Sequence, residues 1–303
     1  MVDILMATYN GEAYVRQQIL SIMAQTHTDW RLVIHDDGST DSTVKTIKSL
    51  LGNDPRILLV EDGRRYGNAA ANFMALLKYA ESPFIMFCDQ DDIWFDNKVE
   101  TMLAAIRRCP VDIPSAVFSQ SYFWVPERGI EGKTMFHTAR SVKEFIFSNG
   151  AIQGCASIFN NTAKECLLRL DYTPVMHDLA LQTICLSLGK VEYLEIPLML
   201  YRRHLGTVTT GIGTRAKRLS EAMRSNEIGV VAEQIYKDWA NFRRLFGENL
   251  RSEDNEAIGC YLEMPRKGKI KIIYRIVRHG FSLFGSRARL LLKVCLRPYM
   301  TEF

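Results

Sequence analysis

Strand-like and helix-like patterns alternate along the first hundred residues. Short apolar runs, typical of buried strands, are followed by segments whose apolar residues recur at helical spacing. The strand-like runs cover residues 3–9, 31–37, 56–62 and 83–89, and the helix-like segments cover residues 12–26, 41–51, 71–80 and 97–109. Parallel strands need a crossover connection, usually a helix, so this alternation predicts an α/β fold with a mainly parallel central sheet flanked by helices.

The pattern changes twice after the first hundred residues. Residues 115–203 mix strand-like and helix-like pieces, and from residue 215 the chain is mostly helical in pattern, with predicted helices over 215–246, 269–284 and 287–296. Gly206, Gly211 and Gly213 lie between these parts and indicate a flexible junction. We predict an α/β domain over residues 1–210, with halves 1–110 and 111–210, and a helical region over 211–303.

Acidic residues directly follow two of the predicted strands. Asp36 and Asp37 end the second strand, and Asp89, Asp91 and Asp92 end the fourth. In a parallel sheet, ligands bind outside the carboxyl ends of the strands. Carboxylates this close together repel, and beside an apolar strand they are costly to desolvate unless a cation lies among them. A solvated acidic loop is the alternative, but the apolar strand before these residues favours a Mn²⁺ or Mg²⁺ site completed by substrate phosphates.

The residues around Asp37 have two readings. A turn and helix cap explain the run of hydroxyl residues over 39–42. Asp37 fits that role less well, because a helix cap needs a single acceptor and two adjacent aspartates, Asp36 and Asp37, lie here. A carboxylate at this edge of the sheet could instead accept a hydrogen bond from the imide N–H of uracil or thymine.

Residues 7–43 and the segment "DQDDIWFDNK", residues 89–98, resemble the N-terminal half of family 2 glycosyltransferases. The resemblance implies the GT-A fold of nucleotide-diphospho-sugar transferases, which is Rossmann-like, here with a helical C-terminal extension. Residues 154–160 and 177–204 look like the bacterial rhamnosyltransferase subgroup of cell-wall and surface polysaccharide synthesis. Residues 1–110 would then be the nucleotide-binding half and 111–210 the acceptor half.

The resemblance also implies a set of site residues. Asp89 and Asp91 match the D-x-D motif that holds the metal, and His204 is a further candidate ligand. A surface basic patch is the alternative for "YRRH", and the following "GTVTTG" departs from the family pattern. The resemblance implies nucleotide-sugar binding by Thr8, Asn10, Glu12, Asp37, Asn72 and Asp89. To these we add Gln90 and the cationic Arg202 and Arg203, which could hold a diphosphate.

We expect Gln153, Gly154 and His177 on the acceptor side, where a glycine permits close approach of a sugar. Asp178 matches the acidic residue that serves as catalytic base in inverting members. Inversion needs a base that takes the proton of the acceptor hydroxyl while its oxygen attacks opposite the leaving diphosphate. A helix N-cap is the other role for Asp178. We favour Asp178 over His177 as the base, with His177 packing against it or orienting it.

These implications lead to an inverting, metal-dependent enzyme that transfers one sugar. The expected donor is dTDP-β-L-rhamnose and the expected acceptor is a lipid-linked saccharide. Donors such as UDP-glucose or UDP-galactose are an alternative, and a non-catalytic nucleotide-sugar or glycan-binding subunit is another. The chain lacks the Q-x-x-R-W motif of processive synthases, and near the first strand it lacks the glycine-rich phosphate loop of a nucleotidyltransferase.

Charge is concentrated at one end of the chain. The net charge of +4 is too small to indicate nucleic acid, but ten Lys or Arg residues and no Asp or Glu lie between Met264 and Met300. These helices could be a cap packed on the catalytic domain or a surface that binds an anionic membrane.

No signal peptide or apolar run of about 20 residues is apparent. The seven scattered cysteines indicate reduced thiols. We expect a cytoplasmic protein, peripheral on the inner face of the membrane, with its oligomeric state left open.

Overall fold

The computed structural model describes residues 1–52, 54–134, 138–150, 152–203 and 229–301. These residues form two compact units. The first comprises the described residues up to 134 together with 152–185 and 189–203, and the second comprises 138–150, 186–188 and 229–301. Residues 138–150, which we predicted within the acceptor half, are therefore grouped with the C-terminal region. The predicted boundary at residue 210 and His204 lie outside the described residues.

A nine-stranded sheet forms the centre of the first unit. Its order is β3-β2-β1-β4-β8-β6-β9-β5, with β7 paired to β6. Strands β1 to β4 pair in parallel, as predicted, and β6 pairs in parallel with β9. The strands are β1 (Val2–Thr8), β2 (Trp30–Asp36), β3 (Ile57–Val60), β4 (Phe84–Cys88), β5 (Ile93–Trp94), β6 (Ser115–Val125), β7 (Gly129–Lys133), β8 (Ser157–Asn160) and β9 (Lys190–Arg202).

Four pairings depart from the parallel pattern. β8 runs antiparallel to both β4 and β6, and β5 and β7 are antiparallel partners of β9 and β6. β5 has two residues and β7 has the mostly polar sequence GIEGK, so neither carries an apolar pattern that predicts a strand. β1 is apolar almost throughout because, in a parallel sheet, helices cover both of its faces.

Eleven helices are present in the described part of the chain, besides short 3₁₀ turns. They are α1 (Val15–Met23), α2 (Thr43–Leu51), α3 (Ala69–Leu76), α4 (Lys98–Ile106), α5 (Val142–Phe145), α6 (Asn161–Leu168), α7 (His177–Leu188), α8 (Glu233–Phe246), α9 (Ser252–Glu263), α10 (Lys269–His279) and α11 (Arg287–Leu296). No described helix has the length and apolar character needed to cross a membrane.

The described residues of the second unit are mainly helical, as predicted, although two predicted helices differ in their bounds. Val231–Ala232 forms a short strand, β10, paired with β11 (Met300–Thr301), which interrupts the helix predicted over 215–246. The described helix that follows runs from Glu233 to Phe246, and residues 215–228 lie outside the described residues. The helix predicted over 269–284 ends at His279, because Gly280 takes a left-handed conformation with φ of 75°. A buried stripe on α8 packs this unit's core, formed by Ile235, Trp239, Phe242 and Phe246 at helical spacing.

Candidate active site

The D-x-D loop is fixed against the carboxyl end of β1. Gln90 forms two hydrogen bonds with the backbone of Tyr9, accepting from its N–H at 2.9 Å and donating to its carbonyl at 2.9 Å. Gly11 permits this approach, since a Cβ there would lie 2.2 Å from Gln90 Oε1. The two strand ends predicted to share one edge of the sheet are therefore joined directly. Gln90, which we predicted for nucleotide-sugar binding, uses its amide for this contact.

Asp89, Asp92 and Cys155 form a compact cluster after β4. One ligand atom from each lies within 4.8 Å of the others. Burial raises the pKa of Asp89 to about 6, and the neighbouring Asp91 adds to the rise. Burial, with repulsion from Asp91 and Asp89, also raises the pKa of Asp92 well above its usual range. Ionised carboxylates are thus disfavoured here, and a bound cation would remove that penalty.

The donor set of this cluster fits a hard divalent cation. Within the part of the chain that the structure describes, Asp92 Oδ2 is buried without a hydrogen-bond partner, although its Oδ1 accepts from the N–H of Arg202 at 3.0 Å. Burial raises the pKa of the Cys155 thiol well above its usual range, so Cys155 stays a neutral, poor ligand. The carboxylate oxygens are therefore the ligands this loop offers, and oxygen is the ligand that Mg²⁺ and Mn²⁺ prefer.

A fully buried lysine lies behind the acidic cluster. Lys98, the first residue of α4, is 0% exposed, and its Nζ donates to the carbonyl of Cys155 at 2.5 Å. The ammonium also lies 3.7 Å from the centre of the Trp94 ring. Burial lowers the pKa of Lys98 to about 8, and Asp92 and Asp89 oppose that fall. Lys98 is an internal cation for these carboxylates that the sequence reading missed.

Arg202 supports the same loop from β9. Its Nε donates to the carbonyl of Asp91 and its Nη2 to Gln17 Oε1, each at 2.6 Å. Its guanidinium lies over the rings of Tyr14 and Trp124. Arg202 is only 3% exposed, so its donors serve the protein interior. Arg203, the second arginine predicted on the nucleotide side, lies over the ring of Phe123 at 3.5 Å.

Asp178 lies at the start of α7 and close to Gly154. The N-cap of this helix is Met176, so the N-cap alternative for Asp178 is wrong. Asp178 Oδ1 accepts from the N–H of Leu179 at 2.7 Å, and the backbone N–H of Gly154 also stabilises the carboxylate. Burial nevertheless raises its pKa to about 7, and the charge of Asp89 adds to the rise. The structure thus brings the predicted base and the D-x-D motif into electrostatic contact.

His177 packs in the protein interior beside Asp178. Its ring centre lies 4.1 Å from that of Phe73 and 4.8 Å from that of Phe87. Burial lowers the pKa of His177 to about 3, so the imidazole is neutral. A neutral imidazole held between two phenylalanines packs against its neighbours, and the choice of Asp178 as the base stays a prediction. The acceptor-side role of His177 and Gln153 stays a prediction.

Gly154 leaves room for both of these side chains. A Cβ at this position would lie 2.4 Å from His177 Nε2 and 3.4 Å from Asp178 Cβ. We expect Gly154→Ala to displace the start of α7 and to reduce transfer about a hundredfold, since misplacing a catalytic group by about 1 Å has that effect. Gly150→Ala is the matched control, because nothing lies within 4 Å of a Cβ there. Equal activities of the two variants, measured as initial rates, would contradict this packing constraint.

The remaining predicted nucleotide-side residues organise the edge formed by β1 and β2. Thr8 donates to Asp36 Oδ1 at 2.9 Å. Asn10 and Glu12 accept through their side-chain oxygens from the N–H groups of Thr40 and Ser42, both at 2.8 Å. These contacts explain why polar residues follow β1, and the direct nucleotide contacts of Thr8, Asn10 and Glu12 stay predictions.

Asp37 and Asn72 lie near the same edge. The Asp37 carboxylate accepts from the N–H of Tyr66 and, at 2.8 Å, from that of Gly67, which holds the loop after β3. Asn72 is 1% exposed and donates from Nδ2 to the carbonyl of His35 at 3.4 Å. Nucleotide binding by Asp37 and Asn72 stays a prediction.

Comparison with known proteins identifies the family. The family model described as "Glycosyl transferase family 2" matches residues 3–167, more than half of the chain. The dTDP-rhamnosyl transferase RfbG of Shigella flexneri is 30% identical over 215 residues, which cover 66% of this chain and 71% of RfbG. The chain therefore belongs to glycosyl transferase family 2, as the sequence resemblance indicated.

A second relative matches a shorter stretch of the chain. It is the Escherichia coli protein named UDP-Glc:alpha-D-GlcNAc-diphosphoundecaprenol beta-1,3-glucosyltransferase WfgD, 40% identical over 108 residues. These residues cover 36% of this chain and 42% of WfgD. This relative thus covers less than half of either protein.

Solved structures of glycosyltransferases confirm the GT-A fold. Residues 1–349 of Staphylococcus aureus TarS in complex with UDP-GlcNAc match with a TM-score of 0.58 at 14% identity, covering 92% of this chain and 79% of that one. The mannosyltransferase PcManGT of Pyrobaculum calidifontis, in complex with GDP-Man and Mn²⁺, matches with a TM-score of 0.53 at 14% identity, covering 97% and 85%. The predicted mixed α/β architecture with C-terminal helices is therefore correct.

Proposed function

We propose that this chain is an inverting glycosyltransferase that moves one L-rhamnose from dTDP-β-L-rhamnose to a hydroxyl of a lipid-linked saccharide. The product would serve bacterial cell-wall, capsule or O-antigen polysaccharide synthesis. One observation carries the catalytic part of the proposal, namely the buried carboxylate of Asp178 beside Gly154 and in electrostatic contact with Asp89. The choice of rhamnose is supported by the 30% identity to RfbG, which is named a dTDP-rhamnosyl transferase.

Asp178 is suited to the role of general base. In the proposed reaction its carboxylate takes the proton of the acceptor hydroxyl while the oxygen forms a bond to C1 of the sugar. The bond between C1 and the diphosphate oxygen breaks on the opposite face, and dTDP leaves. Inversion at C1 follows from this geometry. A pKa of about 7 lets the carboxylate be ionised near neutral pH and still accept a proton readily.

Asp89, Asp91 and Asp92 would hold the Mn²⁺ or Mg²⁺. When bound, the cation supplies charge that stabilises the departing diphosphate. The protein's own residues fix the loop that presents these carboxylates, with Gln90 attached to the backbone beside β1 and Arg202 attached to the carbonyl of Asp91. His204, the other predicted ligand, lies outside the described residues. In this proposal, these contacts hold the loop that carries Asp89, Asp91 and Asp92 at one edge of the sheet.

The proposed acceptor is lipid-linked, which would put the reaction at the inner face of the cell membrane. Two relatives support this choice. WfgD and another Escherichia coli protein, WfaP, are both named for an acceptor that is GlcNAc linked to diphosphoundecaprenol. WfaP is 25% identical over 233 residues, which cover 77% of this chain and 88% of its own length.

UDP-glucose is the second candidate donor. It is favoured by the 40% identity to WfgD, a UDP-Glc-dependent glucosyltransferase by name. That match spans 108 residues, about the length of the predicted nucleotide-binding half. A pyrimidine diphosphate is common to both candidates, so they differ in the sugar and in the 5-methyl and ribose groups of the nucleotide.

A donor panel tests the proposal. Purified protein is incubated with dTDP-β-L-rhamnose, UDP-glucose, UDP-galactose or UDP-N-acetylglucosamine and a GlcNAc-diphospholipid acceptor, with Mn²⁺ or with EDTA, and release of dTDP or UDP is measured. We expect turnover with dTDP-β-L-rhamnose and loss of at least about 90% of it in EDTA. Turnover with UDP-glucose alone would assign the second donor, and undiminished turnover in EDTA would contradict the metal site.

A further inference from the structure

Helix α10 has apolar residues on two opposite faces. Ile272 and Ile276 are buried at 2% and 0% exposure, and they pack the helix onto the second unit. Ile270, Tyr274 and Val277 point away from that side and are 84%, 60% and 47% exposed. Their i, i+4, i+7 spacing puts them in one row, which we call the apolar stripe. Packing within the described chain accounts for the first face but leaves the apolar stripe in solvent.

The neighbouring helix α11 adds to the exposed apolar surface. Leu292 and Leu296, one helical turn apart, are 60% and 63% exposed, whereas Leu290 is fully buried. The start of α10 is held to the end of α11, because Lys269 Nζ donates to the carbonyl of Cys295 at 3.1 Å. Two linked helices of the same unit therefore both expose large aliphatic side chains.

The charges around the apolar stripe are positive. Lys271 and Arg278 are exposed and lie seven residues apart, so they border the apolar stripe on one side. Arg278 also donates to the hydroxyl of Tyr274 at 3.3 Å. The segment from Met264 to Met300 contains no Asp or Glu that could neutralise them. Other cations of this segment have protein partners, such as Arg275, which pairs with Glu263 at 2.9 Å.

We propose that the apolar stripe and its basic border dock on an anionic phospholipid surface. Aliphatic and aromatic side chains would enter the boundary between headgroups and acyl chains, while Lys271 and Arg278 would contact the negatively charged headgroups. The inference rests on the proposed function only in that a lipid-linked acceptor requires the enzyme at a membrane. An anionic bilayer fits better than a protein partner because it accommodates an exposed apolar row and a cationic border at once, and no ion pair of Lys271 or Arg278 is present among the described residues.

Co-sedimentation of the full chain with vesicles tests this surface. Vesicles of phosphatidylcholine alone are compared with vesicles that also contain phosphatidylglycerol, at low and at high salt. We expect binding to the mixed vesicles at low salt, and much weaker binding to phosphatidylcholine alone or at 1 M salt, where charges are screened beyond about 3 Å. Equal binding to both kinds of vesicle would overturn the anionic part of the proposal.

Two sets of variants separate the apolar and the charged contributions. Ile270→Ser/Tyr274→Ser/Val277→Ser removes the apolar stripe, and we expect vesicle binding to fall more than about tenfold. Lys271→Glu/Arg278→Glu reverses the border, and we expect a fall of more than about twentyfold, because each cation near an anionic surface contributes about fivefold. The matched controls exchange comparably exposed residues of the first unit, as Leu58→Ser/Val111→Ser/Ile130→Ser and Lys45→Glu/Lys78→Glu.

The outcomes distinguish this proposal from the assignment of the enzyme. The proposed docking surface would be overturned if both variants of α10 bound vesicles as the wild type does. It would also be overturned if the control variants lost as much vesicle binding as the α10 variants. Concentration-dependent dimerisation that the serine variant abolishes, without vesicle binding by the wild type, would also overturn it by assigning the stripe to a second copy of the chain. Donor hydrolysis without vesicles should be unchanged in all four variants. Vesicle binding by a protein that uses no donor would instead contradict only the proposed function.

Discussion

Replacing Asp178 by asparagine is expected to lower the rate of sugar transfer about a thousandfold while leaving dTDP affinity within about threefold of the wild type. The amide keeps the size of the carboxylate but cannot take the proton of the acceptor hydroxyl. Asp178 is 5% exposed and supported by backbone N–H groups, so the isosteric change should preserve the start of α7. Initial transfer rates at saturating donor and calorimetric titration with dTDP measure the two quantities.

Asp112→Asn is the control, because Asp112 is an exposed carboxylate of the loop before β6. The pH profile provides a second check on Asp178. Its pKa is raised to about 7, and only the ionised form is a base, so wild-type turnover should fall about tenfold per pH unit below that value. Wild-type turnover by Asp178→Asn would remove this residue from the mechanism, and parallel loss of dTDP affinity would assign it to donor binding.

Replacing Lys98 by methionine should destabilise the protein by about 3 kcal/mol when measured in EDTA. The substitution keeps most of the side-chain volume but removes the ammonium group. That group is fully buried and interacts electrostatically with Asp92 and Asp89. Removing one partner of a buried charge pair leaves the other charge uncompensated, which typically costs about 3–5 kcal/mol. The carbonyl of Cys155 also loses its donor. Urea unfolding followed by circular dichroism gives the free energy of unfolding.

Lys164→Met is the matched control for this prediction. Lys164 is 8% exposed, and its Nζ donates to the carbonyl of Ala80 at 3.0 Å and pairs with the exposed Glu165 at 3.3 Å. Removing this ammonium leaves no buried carboxylate without its cation, so we expect the free energy of unfolding to fall by only about 1 kcal/mol. Equal losses in the two methionine variants would show that Lys98 acts as a hydrogen-bonded core residue and does not balance the acidic cluster.

The architecture of the first unit could be predicted because its signals are local. The apolar runs that became β1, β2, β3 and β4 and the amphipathic segments between them are visible in single stretches of sequence. The antiparallel insertion of β8 between β4 and β6 could not be predicted, since pairing depends on contacts between residues far apart in sequence. The helix predicted through Gly280 failed for a local reason, because glycine at that position adopts the left-handed conformation that ends α10.

The site shows the same division between local and distant information. Aspartates after a strand identify an acidic edge, and the family resemblance indicated Asp178 as the base. Nothing local marks Lys98, which reads as an ordinary first residue of a helix. It becomes an internal cation only because Cys155, in the turn before β8, and Met199 of β9 cover its ammonium. Arg202 was predicted on the nucleotide side, yet the structure directs its donors to Asp91 and Gln17. The sequence thus shows that a residue is charged, but the partners of that charge depend on where the fold buries the side chain.

Calorimetric titration of dTDP tests most directly whether the carboxylates after β4 hold a cation that binds the nucleotide diphosphate. The wild type is titrated in Mn²⁺ and in EDTA, beside Asp89→Asn/Asp91→Asn and the Asp112→Asn control. We expect dTDP to bind the wild type and the control at least about tenfold more tightly in Mn²⁺ than in EDTA, and the double variant to bind it equally weakly in both. Equal wild-type affinity with and without Mn²⁺, or a Mn²⁺ effect that persists in the double variant, would contradict the assignment of a cation to the D-x-D carboxylates after β4.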